Sequence, residues 1–421
     1  MGLDSVVKKT LREQTKSAFS YYRSLGELYD KCPLEAVVVD VNVELFKKPQ
    51  HVKTGMEWAR WVFDNRVKKP PVKFVVLLFD SAPRVPLTKD LTHLQRSGDK
   101  RKRGFVPLPP DTLFGDNMEL PDWSRVTGSK HLLPRVWDYL IGAIRRLTVA
   151  ERFDRKTVFF DKPLSLKLAG SRPSLDGAIE MAWKAGALAK APPVPKHLYG
   201  EGDMKTRAWV VHLMEALRLE TILVLSTDLD NIPIFCEPRF RGVHMLGNPV
   251  GVANGKVVTK KQATTTMHEA IDLGKVAALI GERHYPAFRA ILCMGKTDFN
   301  WNVHKMTTER MLKTFFWSVR HNKTINATTL LESTKGYGTF YQMCHSKICG
   351  HRRANAKLAA AVTREDIKNY LLRCQWVHRY WTGDLQALGG PDPSTCPGYK
   401  KPGASAKDLK EYGGKVRLVP A

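Results

Sequence analysis

Acidic residues stand behind several apolar runs of this chain. Asp40 closes Val37-Val38-Val39, and Asp80 closes Leu77-Leu78-Phe79. Asp228 and Asp230 follow residues 221–226, and Asp298 follows the run 290–294. A lone aspartate in such a place is as readily a turn former or a helix cap as a ligand. A set of them in a chain short of acids is different. Carboxylates brought together repel one another unless a cation neutralises them. Hard oxygen donors with open coordination suit Mg²⁺ or Mn²⁺. Two such ions about 4 Å apart activate a water and stabilise the leaving oxygen of a phosphodiester.

Strands must position these acids. Residues 33–40, 72–80, 157–160 and 221–226 read as short buried strands, and 290–294 reads as a further apolar strand carrying Asp298 behind it. Continuous apolar runs of this kind suit a parallel sheet covered on both faces. Between them, 54–66, 131–148 and 201–219 read as helices, with Glu201 and Asp203 opening the last. Residues 3–29 read as a helix or two, with Tyr21, Tyr22, Leu25 and Leu28 on an apolar stripe; 242–258 reads as a hairpin turning at Asn254-Gly255, and 264–280 as helical. The alternation predicts an α/β fold with a mainly parallel sheet flanked by helices. In such sheets ligands bind beyond the carboxyl ends of the strands, where the acids sit.

The expected organisation is a core over 1–300, interrupted by a basic insertion at 81–130 and an irregular linker segment at 162–200. A mostly helical basic region follows at 301–387, then a Gly/Pro/Lys-rich tail at 388–421. The chain has 67 Lys and Arg against 41 Asp and Glu, a net charge of +26. Such a balance points to a polyanionic partner. Residues 81–110 hold seven basic residues against two acids, centred on Lys100-Arg101-Lys102-Arg103. That run reads as a phosphate clamp, a solvated loop or a nuclear-localisation peptide. Seven scattered cysteines argue for reduced thiols and an intracellular protein rather than a disulfide framework. The start Met1-Gly2-Leu3 has no apolar run and does not read as a signal peptide, and no run is long enough to span a membrane. Cys344, Cys349 and His351 fit no standard zinc spacing and read as ordinary thiols and a histidine. Arg352, Arg353 and Lys357 read as a phosphate-facing helix.

Taken in order, these blocks resemble the flap-endonuclease/XPG-type 5′ nucleases, whose core is a PIN-like α/β domain. Val37-Val38-Val39-Asp40 resembles that family's first block and Phe79-Asp80-Ser81-Ala82-Pro83 its second. Glu201-Gly202-Asp203 resembles its paired acids, Asp228-Leu229-Asp230 its Asp-x-Asp block, and Gly295-Lys296-Thr297-Asp298 its last acid. The resemblance implies two Mg²⁺ ions, with Mn²⁺ as a substitute. Asp40, Asp80, Glu201 and Asp203 would chiefly hold one ion, and Asp228, Asp230 and Asp298 the other. It gives Lys89 and Arg96, which keep the family's seven-residue spacing, contact with the scissile phosphate. It puts Gly2 near the active site and places Lys100–Arg103 in the arch that passes single-stranded ends. The implied activity is structure-selective 5′ cleavage of DNA in replication, repair or recombination, by a monomer in the nucleus or wherever DNA is replicated, with no role for membranes.

The chain also departs from that pattern. Asp298 is followed by Phe299-Asn300-Trp301-Asn302 where the family has Tyr-Cys and a helix-hairpin-helix, and there is no Gly-Ile-Gly turn. Flap, junction and exonuclease action stay open, as does an RNA-directed nuclease on the same fold. A binding protein that kept the fold without catalysis is the alternative outside enzymes.

Overall fold

The computed structural model describes residues 5–45, 49, 51–79, 108–109, 111–122, 125–126, 132–153, 156–161, 180–184, 187–190, 202–259, 261–295, 306–346 and 364–382. Its centre is five parallel strands: β8 (Val243–Leu246), β7 (Ile222–Leu225), β2 (Ala36–Asp40), β3 (Phe74–Leu78) and β4 (Thr157–Asp161), side by side in that order. Because β2 lies between two neighbours and under helices on both faces, every residue from Ala36 to Val39 is fully buried. The pleat divides them. Ala36 and Val38 enter one apolar core, and Val37 and Val39 enter the other. The first core lies under the helices Ser5–Gln14, Gly202–Glu215, Leu273–Ile280 and Tyr285–Met294. The second lies under Gly55–Val62 and Leu132–Ala150.

Antiparallel strands extend the sheet at both sides. β5 (Glu180–Lys184) and β6 (Ala187–Lys190) follow β4. At the other side β11 (Thr265–Asp272) pairs with β8, with β1 (Phe19–Tyr22) and with β9 (Val250–Ala253), which turns into β10 (Lys256–Val258). The β9–β10 turn is Asn254-Gly255 as expected, with φ of 51° and 70°, the positive pair that a tight hairpin of this twist requires. The fold is the expected α/β architecture, with a mainly parallel sheet flanked by helices. It has a parallel sheet centre between helices, followed by the helices Thr308–Arg320, Ala327–Glu332, Thr334–His345 and Arg364–Thr382.

Three expectations are corrected. The run 290–294 belongs to the helix Tyr285–Met294, not to a strand. Pro286 in its first turn suits a helix start, and the segment buries all sides between the sheet and the C-terminal helices. Residues 265–272 form β11 rather than helix, and only Leu273–Ile280 is helical, capped by the Asp272 side chain on the Lys275 amide at 2.8 Å. Tyr21 and Tyr22 lie on β1, not on a helical stripe. The core around the C-terminal helices is aromatic, with Phe288, Phe315 and Phe316 in mutual contact and the Tyr370 hydroxyl donating to the carbonyl of Met294. Cys344 is buried there and forms no disulfide among the described residues.

Candidate metal centre

The parallel strands end on one edge of the sheet, and the acids gather there. β7 runs out through Ser226 into a turn built by its own side chains. The Ser226 hydroxyl accepts from the Asp228 amide at 3.3 Å, and Asp228 Oδ1 accepts from the Asp230 amide at 3.1 Å. Asn231 Nδ2 closes the turn on the Asp228 carbonyl at 2.9 Å. Asp228 is therefore the turn former that its residue type suggests, and it remains half-buried. Asp230 differs. It precedes the short helix Asn231–Phe235 without capping it by its side chain, and it is 2% exposed.

The helix Gly202–Glu215 brings the third acid. Lys205, Trp209 and Leu213, four residues apart, are buried against the sheet. That orientation sets Asp203, in the first turn, over the end of β7. Asp203, Asp228 and Asp230 each offer a carboxylate oxygen, and these three oxygens lie within 4.8 Å of one another. Opposite ligands of an octahedral Mg²⁺ stand about 4 Å apart, so the three carboxylates fit one hard divalent ion with little adjustment. Asp203, read from the sequence as a ligand of the first ion, thus lies with two acids of the second.

Asp40 ends the adjacent strand. Its Oδ1 accepts from the Asn42 amide at 3.0 Å, and its Oδ2 from the Ser226 hydroxyl at 3.3 Å. Ser226 thereby links Asp40 to the Asp228 turn, a role the sequence reading did not assign. Further along the edge, β4 ends in Asp161, in register with Leu78 of β3. It was also missed, although Phe159-Phe160-Asp161 repeats the same signal of apolar strand and acid. Asp161 faces an internal cation. Lys205 Nζ lies 2.5 Å from Asp161 Oδ1 and 3.1 Å from the Phe79 carbonyl, and Trp209 Nε1 donates to Asp161 Oδ2 at 2.9 Å.

A cationic group gathers around Glu237. Glu237, just past the helix Asn231–Phe235, meets Arg289 Nη2 at 2.8 Å, Arg239 Nε at 2.7 Å and Arg207 Nη2 at 3.8 Å. Burial beside Arg239 and Arg289 pulls the Arg207 guanidinium down to about 10.

Four expected site residues, Asp40, Asp203, Asp228 and Asp230, are thus placed along the ends of two adjacent strands and one helix. Asp80, Glu201, Asp298, Lys89, Arg96, Gly2, Lys100, Arg101, Lys102, Arg103, Arg352, Arg353 and Lys357 lie outside the described residues, as do Cys349 and His351. Among the described residues no helix is long and apolar enough to cross a membrane.

No protein-family model matches the chain, and no curated protein matches it. Among solved structures, the chain is similar to the crystal structure of T5 D15 protein co-crystallized with metal ions. The identity is 11% and the TM-score 0.31, over 85% of this chain and all of that one.

Proposed function

We propose that this chain is a metal-dependent nuclease that hydrolyses phosphodiester bonds at the carboxyl edge of its sheet. The observation that carries the reading is the convergence of Asp203, Asp228 and Asp230 within 4.8 Å, with Asp40 tied to the same turn. Chain segments this far apart bring acids together at a cost in mutual repulsion that a divalent cation offsets. Bound Mg²⁺ or Mn²⁺ there would lower the pKa of a water and neutralise charge on the departing oxygen. Asp203, Asp228 and Asp230 would hold one ion. Asp40, with Asp80 and Glu201, would complete a second, and Asp298 would add to the first. Lys89 and Arg96 would stabilise charge on the scissile phosphate. The +26 charge supports a nucleic-acid substrate, with Lys100–Arg103, Arg352, Arg353 and Lys357 along its backbone and Gly2 near the reacting end. The finer reading is structure-selective 5′ cleavage of DNA.

The test uses purified full chain on labelled 5′-flap DNA, linear DNA and RNA of one sequence, with Mg²⁺, Mn²⁺ or EDTA, beside Asp230→Asn. We expect metal-dependent cleavage that the variant loses. Equal cleavage by the variant, or by wild type in EDTA, would overturn the site. Preference for RNA would move the substrate and leave the site standing. Tight, salt-sensitive binding without turnover would leave a binding protein.

A further inference from the structure

The edge that gathers the metal-type acids also contains a charge pair with no access to water. The side chains of Lys205 and Asp161 are both 0% exposed. Asp161 receives the ammonium on one oxygen and the Trp209 indole on the other. Lys205 also donates to the carbonyl of Phe79, the residue before Asp80.

Stability alone is a poor reason for such a pair. Removing two charges from water costs several kcal/mol each, and apolar residues of similar volume commonly do as well or better. What the pair supplies is position. Lys205 lies two residues beyond Asp203, in the same first turn of the helix Gly202–Glu215. Asp161 ends β4, and Phe79 follows β3. One ammonium therefore joins the turn that carries Asp203 to the ends of two neighbouring strands. A slide of the helix along its axis, or a shift of the β3 exit, would break short polar contacts in an apolar surround, where no water can replace them. An apolar contact would resist such a slide far less, because dispersion is not directional.

We infer that the buried Lys205–Asp161 pair is a positioning device for the acidic cluster: it fixes the height of Asp203 over Asp228 and Asp230, and holds the exit of β3 at Phe79. The inference rests on the metal-dependent reading proposed above.

The test replaces the pair by apolar residues of similar volume, Lys205→Met with Asp161→Leu, and reads three things: thermal midpoint, Mn²⁺ affinity by calorimetry, and the crystal structure. We expect the double variant to fold with a midpoint near wild type and to bind Mn²⁺ about 10–100-fold more weakly, the range typical for loss of a group that orients ligands. Its Asp203 oxygen should lie beyond the 4.8 Å that now separates the cluster. If the double variant does not fold, Trp209→Phe removes one hydrogen bond to Asp161 and leaves the charges in place, and a several-fold loss of Mn²⁺ affinity is expected. Wild-type affinity in either folded variant would overturn the inference. So would an unmoved cluster in the crystal, whatever wild type does with Mn²⁺. A wild type that binds no Mn²⁺ but whose cluster spreads in the double variant would overturn the metal reading and leave the positioning intact.

Discussion

Ser226 joins two acids that the sequence separates widely: its hydroxyl lies 3.3 Å from Asp40 Oδ2 on the next strand and 3.3 Å from the amide of Asp228. It is a neutral donor in a crowd of carboxylates. We predict that Ser226→Ala weakens Mn²⁺ binding or metal-dependent turnover about 10–100-fold with little change in the thermal midpoint. Isothermal titration checks this, and unchanged affinity would show that Asp40 holds its place without the hydroxyl.

Glu269 is wholly buried on β11 and meets both Lys8 and Arg12 of the first helix. Glu269→Ala deprives Lys8 and Arg12 of the buried carboxylate that they share. Breaking such a group by removing one partner costs about 3–5 kcal/mol. Urea unfolding measures it, and a loss below about 1 kcal/mol would mean that the two cations find water instead.

Gly274 lets the helix Leu273–Ile280 touch the backbone at Phe240 and Arg241. A Cβ there would stand 2.1 Å from the Arg241 nitrogen and 2.3 Å from the Phe240 carbonyl carbon. Main chain cannot swing aside as a side chain can. Gly274→Ala is expected to cost about 1–3 kcal/mol of overpacking, whereas Gly255→Ala, with open space around it, meets only the strain of its positive φ. Comparing the two urea midpoints separates crowding from backbone strain.

Burial, with little to offset it, holds His212, His244, His284 and His345 below their ordinary 6.5; Arg310 beside His345 pushes the same way, while Asp272 partly opposes it at His244. The unfolded chain therefore binds more protons below that value than the folded one does, so stability rises with pH up to about 6.5 and falls on acidification beneath it. We predict a lower urea midpoint at pH 5.5 than at pH 7.5 in metal-free buffer, with the gap narrowed in His345→Gln. An equal gap in that variant would remove His345 from the effect.

The sheet centre was legible because β2, β3, β4 and β7 are covered on both faces, which forces unbroken apolar runs that few other elements carry. Asp40 behind β2 and the Asp228/Asp230 pair behind β7 were legible for the same reason, whereas Asp161 behind β4 was passed over. β11 was not, because Thr265–Asp272 mixes exposed threonines with the buried polar Glu269 and runs straight into the helical pattern of Leu273–Ile280. The segment 290–294 was misread because a short apolar run has no period of its own; Pro286 was the available signal for a helix start. Lys205 was invisible for another reason. A lysine in a helix normally marks the wet face, and only the third dimension sets Asp161 beneath it.

The position of β2 between β3 and β7 has a consequence for how the chain is made. β3 is synthesised soon after β2, but β7 begins only at Ile222. At ribosomal rates of about 5–20 residues per second, the interval is on the order of 10 s. Throughout it the fully apolar Ala36–Val39 has one open backbone edge, the kind that recruits other strands. The nascent chain would be sticky until β7 closes that edge, and the same closure brings Asp228 and Asp230 beside Asp40. Solubility and the acidic centre would therefore arrive in one late folding step, and fragments ending before residue 222 should have neither.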